Sequence, residues 1–191
     1  MDVAWRFKEF LSFSKGLDEA TFLVKFPHPL LLSDGQSAAS ATGRVSGNPA
    51  STKLADDEAP PAPAAPAINE SEEAWVIPVV RRDASEQRSL VTVGRGEECD
   101  IRLTHPLISK KHAYFKQDGD GWVLADAEST NCTFVDGNKL SPHQPVRLVD
   151  STAIRFGPVV KYRFFTARTF HGYCLLRSRL REDATRASKQ S

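Results

Sequence analysis

The sequence predicts an all-β sandwich of antiparallel strands, with short helices at its N- and C-terminal ends, and three observations carry that expectation. From Trp75 onward, short β-branched and aromatic runs alternate with turn residues at intervals close to those of a sandwich. Within one run Val160, Tyr162 and Phe164 fall on one face and Lys161 and Arg163 on the other, the period of two that a half-buried strand imposes. Asp118-Gly119-Asp120-Gly121 and Asp136-Gly137-Asn138 are strong turn signals between such runs.

Nine strands follow in order, at 75–81, 90–94, 100–103, 112–117, 122–126, 133–135, 146–149, 152–156 and 159–165. No segment among them has helical length or period. The module therefore spans residues 75–166. Ahead of it, residues 1–32 place Val3, Phe7, Phe10, Leu11 and Ser14 at helical spacing, which predicts a short amphipathic helix of about three turns. The apolar segment Phe22-Leu23-Val24-Lys25-Phe26 then reads as extended up to Pro27 and Pro29.

Residues 33–74 are rich in Ala, Ser, Gly and Pro and carry Asp56, Asp57, Glu58, Glu70, Glu72 and Glu73. Too little apolar surface is available there to offset an ordering entropy of roughly 1–2 kcal/mol per residue, so a flexible linker is expected. Residues 167–191 return to helical spacing with Phe170, Tyr173, Cys174 and Leu180, ending in a basic tail that includes Arg186 and Lys189.

Composition narrows the function classes. Hydrophobic residues make up 40% of the 191-residue chain, enough for a packed core. A formal net charge of +1 lacks the basic excess of a dedicated nucleic-acid binder. Cys99, Cys132 and Cys174 lie far apart, which predicts neither a disulfide framework nor a metal site, and suits a reducing compartment. Charges at Asp2, Arg6, Lys8 and Glu9 interrupt every apolar run at the start, so neither a signal peptide nor a membrane span is expected. A soluble cytoplasmic protein follows, with no cofactor.

The informative residues cluster between strands: Gly94-Arg95, then Ser109-Lys110-Lys111-His112, then Thr130-Asn131-Cys132-Thr133 followed by Asp136-Gly137. In that order and spacing they resemble the forkhead-associated (FHA) domain, whose pattern runs Gly-Arg, Ser-x-x-His, Asn-Gly-Thr and an Asn/Asp-Gly turn. The resemblance covers about half of the sequence. It implies an FHA-like β-sandwich whose end loops grip phosphothreonine in an extended peptide.

Phosphothreonine brings about −1.5 to −2 charges and three strong acceptor oxygens, so its site needs converging donors and a full positive charge. Arg95 offers a rigid donor fork, Ser109 a hydroxyl, Lys110 a mobile cation, and Thr130 and Asn131 side-chain and backbone donors. Gly94 is expected to let the backbone turn tightly. By resemblance His112 braces the loop, and Leu107 stands where the family reads a peptide residue on the C-terminal side of the phosphothreonine. Cys132 replaces the family's usual glycine, and a positive φ there costs roughly 1–2 kcal/mol.

No glycine elbow or oxyanion loop surrounds Ser109, so a serine–histidine catalytic pair is not expected. The function implied is that of a non-enzymatic adaptor whose partners are phosphothreonine-containing proteins, targets of serine/threonine kinases, rather than nucleic acid or membrane. Cys132 motivates a second reading, a structural scaffold that has lost phosphate recognition. A third has Thr42 or Thr52, once phosphorylated, folding back onto the site.

Overall fold

The computed structural model describes residues 4–35, 74–82 and 89–188. In chain order its elements are β1 (Trp5–Arg6), α1 (Phe7–Ser14), α2 (Glu19–Lys25), β2 (Leu30–Ser33), β3 (Trp75–Pro78), β4 (Leu90–Gly94), β5 (Ile101–Arg102), β6 (Ala113–Asp118), β7 (Gly121–Asp126), β8 (Thr133–Val135), β9 (Asn138–Lys139), β10 (Val146–Leu148), β11 (Ala153–Phe156), β12 (Val160–Phe165) and α3 (Ala167–Ser188). Two sheets face each other, one ordered β1-β3-β2-β12-β11-β8-β9 and the other β10-β7-β6-β4-β5. Pairing is antiparallel except between β4 and β5.

The core between the sheets shows why alternation was readable. Val160, Tyr162 and Phe164 of β12, Ile154 and Phe156 of β11, and Val91 and Val93 of β4 are all buried there. The two predicted turns close hairpins at the expected places. Asp136 and Gly137 both take positive φ, 48° and 83°, between the paired Val135 and Asn138. Those are the mirror-image turn angles that an Asp-Gly dipeptide favours.

A second apolar layer lies on the outer face of the larger sheet, where Phe7, Phe10, Leu11, Phe22, Phe170 and Cys174 of the helices cover Leu30, Leu32, Val76 and Phe165. The N-terminal segment thus supplies both a helical cover and two strands of the sandwich, β1 and β2. β2 fills the slot between β3 and β12, with Leu31 opposite both Ile77 and Phe164. Leu31 points into the inter-sheet core while Leu30 and Leu32 point to the helices. Burial on both faces gives an unbroken apolar run rather than an alternating one.

The sheet therefore extends beyond the span 75–166. The linker expected at 33–74 begins with Ser33 inside β2, and Ala74 accepts the Phe7 N–H at 2.8 Å. Residues 36–73, with the polyproline run, the acidic residues, Thr42 and Thr52, lie outside the described residues, as do Val3 and Lys189.

Two helical expectations are corrected. The segment 22–26 is not extended: Glu19–Lys25 is helical, started by Asp18, whose carboxylate accepts the Thr21 N–H at 2.9 Å. At the other end, α3 runs 22 residues, and its buried stripe stops at Cys174 while Leu180 is exposed. Among the described residues no helix is long and apolar enough to cross a membrane.

Candidate phosphopeptide-binding site

Four loops meet at one end of the sandwich: 95–100 after β4, 103–112 before β6, 127–132 between β7 and β8, and 157–159 between β11 and β12. Backbone bonds tie them together. The Arg95 and Gly96 N–H groups donate to the Ser109 and Lys110 carbonyls at 2.9 and 3.0 Å, and Gly157 N–H donates to the Cys132 carbonyl at 2.9 Å. Gly94 is required by close approach: a Cβ there would collide with the Lys110 carbonyl oxygen and stand 3.0 Å from Cys99 Sγ. Its φ is not among the positive ones, so steric room replaces the tight turn expected from the sequence.

Arg95 is exposed and tethered at one point, its Nε–H donating to the Ile108 carbonyl at 3.2 Å. Its two Nη groups have no hydrogen-bond partner among the described residues, which leaves their donors unused. Ser109 and Thr130 meet: Thr130 N–H donates to Ser109 Oγ at 3.0 Å, and Ser109 Oγ–H donates to Thr130 Oγ1 at 3.4 Å. The donor passed outward from this pair is therefore the Thr130 hydroxyl. Lys110 is exposed, and its ammonium has no partner among the described residues.

Asn131 lies across the gap from Leu107, its Nδ2–H donating to the Leu107 carbonyl at 2.8 Å. Leu107 keeps 42% of its surface exposed beside it. Arg95, Ser109, Thr130 and Asn131 are thus each hydrogen-bonded to a neighbouring loop while the Lys110 side chain is not, and Ser109 and Asn131 spend part of their hydrogen-bonding capacity on bracing.

His112 is fully buried. Its Nδ1 accepts the Ser109 N–H at 3.2 Å, and its ring Nε2–H donates to the Cys132 carbonyl at 3.1 Å. A backbone N–H can only donate and a carbonyl only accept, so the two contacts fix the neutral Nε2–H tautomer. Burial lowers the His112 pKa from its ordinary value, against smaller opposing effects of the Cys132 carbonyl and the Asp126 charge.

The sequence reading missed Asp126. This buried carboxylate accepts Ser129 N–H at 2.9 Å, Ser129 Oγ–H at 2.6 Å and Thr133 Oγ1–H at 2.6 Å, clamping both ends of the loop that carries Thr130 and Asn131. Burial alone pushes its pKa up, but the bonds from Ser129 and Thr133, with the nearby His112, together hold it below the usual carboxylate value. The spacing Asp-x-x-Ser, which lets a carboxylate bond a backbone N–H three residues on, was the available signal. Gly157 was also missed. With φ +59°, it lies against the Leu107 carbonyl and Asn131.

Cys132 takes φ +60°, the left-handed conformation in which glycine is unstrained. The loop keeps the glycine shape despite the cysteine. Among the described residues no group of histidines, cysteines and carboxylates is arranged to hold a metal ion.

Residues 91–157 match the family model of the FHA domain. This protein has an FHA domain. Among curated proteins it is similar to FHA domain-containing protein PS1 of Arabidopsis thaliana, 34% identical over 80 residues, which is 41% of this chain and 5% of that protein. It is similar to the E3 ubiquitin-protein ligase rnf8 of Danio rerio, 32% identical over 99 residues, 45% of this chain and 20% of that protein. FHA domain-containing protein FhaA of Mycobacterium tuberculosis is 37% identical over 65 residues, 34% of this chain and 12% of that protein. The chain thus spans at most a fifth of these relatives.

Among solved structures, an FHA domain from a study of phosphothreonine-dependent FHA domain interactions aligns at 29% identity and a TM-score of 0.37, covering 44% of this chain and 90% of that one. The solution structure of an Arabidopsis thaliana FHA domain aligns at 30% identity and a TM-score of 0.39, covering 41% and 67%. The FHA match contains every site residue named above and leaves out β1 to β3, β12 and all three helices.

Proposed function

We propose that the FHA domain of this protein binds phosphothreonine-containing proteins and that the protein acts as a cytoplasmic adaptor, without catalysis of its own, for targets of serine/threonine kinases. One observation carries the reading. The Arg95 guanidinium is anchored by Nε to the Ile108 carbonyl, on the loop that carries Ser109 and Lys110, and its Nη donors have no partner among the described residues, while Ser109 on that loop holds Thr130. Such a cluster meets the need of a doubly charged oxyanion for several donors and a full positive charge. The phosphothreonine-dependent interactions studied with a similar FHA domain support the same reading.

Calorimetry with matched phosphothreonine, phosphoserine and unphosphorylated peptides from a degenerate library tests it. Phosphothreonine peptides should bind, and Arg95→Ala should weaken them about 100-fold, the loss of two charge-assisted bonds at about 1.5 kcal/mol each. Equal binding of phosphorylated and unphosphorylated peptides, or full retention in Arg95→Ala, overturns the proposal in favour of a phosphate-independent scaffold.

A further inference from the structure

Cross-strand register sets Lys139, Phe134, Arg155 and Lys161 in one row across β9, β8, β11 and β12. Directly paired residues share a face of the sheet. The opposite face belongs to the core, where Val135, Ile154, Phe156 and Tyr162 are buried, so the row faces outward. Lys139 and Lys161 are exposed, and Phe134 and Arg155 are half-buried.

Arg155 is held in place. Its guanidinium carbon lies 3.7 Å from the centre of the Phe134 ring, and its Nη1–H donates to the Gly157 carbonyl at 2.9 Å. Stacking on the ring leaves the guanidinium edge as a planar fork matched to a carboxylate. Neither Arg155 nor Lys139 is ion-paired to a carboxylate among the described residues. The neighbouring acid, Asp136, has its Oδ1 occupied by the Ala153 N–H at 2.8 Å.

The row is continuous with the phosphate site. Gly157, which Arg155 grips, donates to the Cys132 carbonyl, and a Cβ built on Gly157 would lie 3.5 Å from Asn131 Cβ. Phe134 is two strand residues beyond Cys132, roughly 7 Å at about 3.3 Å per residue. Four strands at about 4.8 Å spacing make a row of roughly 14 Å, the span of four or five residues of extended peptide.

We propose that this row binds an acidic stretch of the phosphoprotein, on the side of the phosphothreonine that passes Asn131. The inference rests on the phosphothreonine reading. Lys139 and Arg155 on either side of the Phe134 ring, with Lys161 next along the row, in a protein of net charge +1, suit a few carboxylates rather than the many phosphate contacts of a nucleic acid.

The test uses the full-length protein and fluorescence anisotropy with two phosphothreonine peptides, one extended past the Asn131 side by neutral residues and one by glutamates, plus the unphosphorylated glutamate peptide. The glutamate phosphopeptide should bind roughly tenfold tighter at low ionic strength, shrinking to about twofold in high salt, as exposed ion pairs are screened. In Lys139→Glu/Lys161→Glu the two phosphopeptides should bind within about twofold of each other, and Arg155→Gln should give a partial loss of the preference.

Equal affinities in the unaltered protein, or a preference that survives the double charge reversal, overturn the inference while leaving the phosphate site standing. Failure of the neutral phosphopeptide to bind better than its unphosphorylated form removes the phosphothreonine reading, and the inference with it. Tighter binding of a single-stranded oligonucleotide, abolished by the charge reversal, assigns the row to nucleic acid instead. An acidic-peptide preference seen only after neutralising Asp56, Asp57, Glu58, Glu70, Glu72 and Glu73 assigns it to the protein's own acidic residues.

Discussion

The His112 ring bridges Ser109 and Cys132, accepting the backbone N–H of one at 3.2 Å and donating to the carbonyl of the other at 3.1 Å. One neutral imidazole thereby fixes two loops of the phosphate site with respect to each other. Protonation removes the Nδ1 acceptor, and burial disfavours the charge, so the folded-state pKa lies below the ordinary 6.5. The unfolded state then binds more protons than the folded one as pH falls below 6.5. Stability should be full above that pH and decline below it, down to the folded pKa.

Urea unfolding across that window checks the slope. His28 and His105 are also lowered by burial and contribute in the same direction, so the His112→Ala variant isolates the bridge. It should lose about 3 kcal/mol at neutral pH and show a shallower acid slope than the parent. An unchanged slope would mean that the ring is not held neutral. Stability is the proper readout, because phosphothreonine itself gains a proton near pH 6 and affinity mixes both effects.

Cys132→Gly should stabilise the domain slightly. Relief of a left-handed residue at φ +60° is worth about 1–2 kcal/mol, and the added freedom of glycine in the unfolded state takes back about 0.5–1. The net expectation is a gain of roughly 0.5 kcal/mol, with phosphopeptide affinity within about twofold because the loop already has the glycine shape. A large affinity gain would instead show that the cysteine distorts the bound loop.

Asp126→Ala removes three hydrogen bonds and strands the fully buried Thr133 hydroxyl. Bonds to a charged acceptor are worth about 1.5–3 kcal/mol each when intact, and relaxation of the half-buried Ser129 end recovers part of that. A loss of about 3 kcal/mol in urea unfolding is expected, with a larger fall in phosphopeptide affinity than in Ser129→Ala. The parent carboxylate, held below its ordinary 3.8, contributes stability above that pH which disappears as pH falls through the folded value. Asp126→Ala should flatten this acid limb. Retained affinity in Asp126→Ala would show that the Thr130–Asn131 loop needs no clamp.

How much of this was legible depends on the range over which each residue acts. Asp136-Gly137 and the alternation of 160–164 declare themselves locally, through turn geometry and a period of two, and both took their expected form. The choice of Arg95, Ser109 and Asn131 came from a spaced pattern rather than from any one residue, and their contacts with Ile108, Thr130 and Leu107 were not part of it. The Ser109–Thr130 bond spans 21 positions and no propensity encodes it. α2 was misread because the apolar residues at 22–26 outweighed a single capping aspartate. β2 escaped because both its faces are buried, which leaves no period to detect.

That last feature makes the strongest claim about stability. Leu30, Leu31 and Leu32 are each at most 1% exposed, and β2 hydrogen-bonds to strands on both sides. Leu31 packs in the inter-sheet core, so Leu31→Ala should cost about 3 kcal/mol through lost transfer energy and the cavity left behind. A truncated protein beginning at residue 74 should fare far worse. It would uncover Phe165 and Val76, leave β3 and β12 as unpaired edges, and invite aggregation. Recovery of soluble, cooperatively unfolding protein from that truncation, together with a loss under about 1 kcal/mol in Leu31→Ala, would show that the match at 91–157 and its C-terminal flank fold without the N-terminal segment.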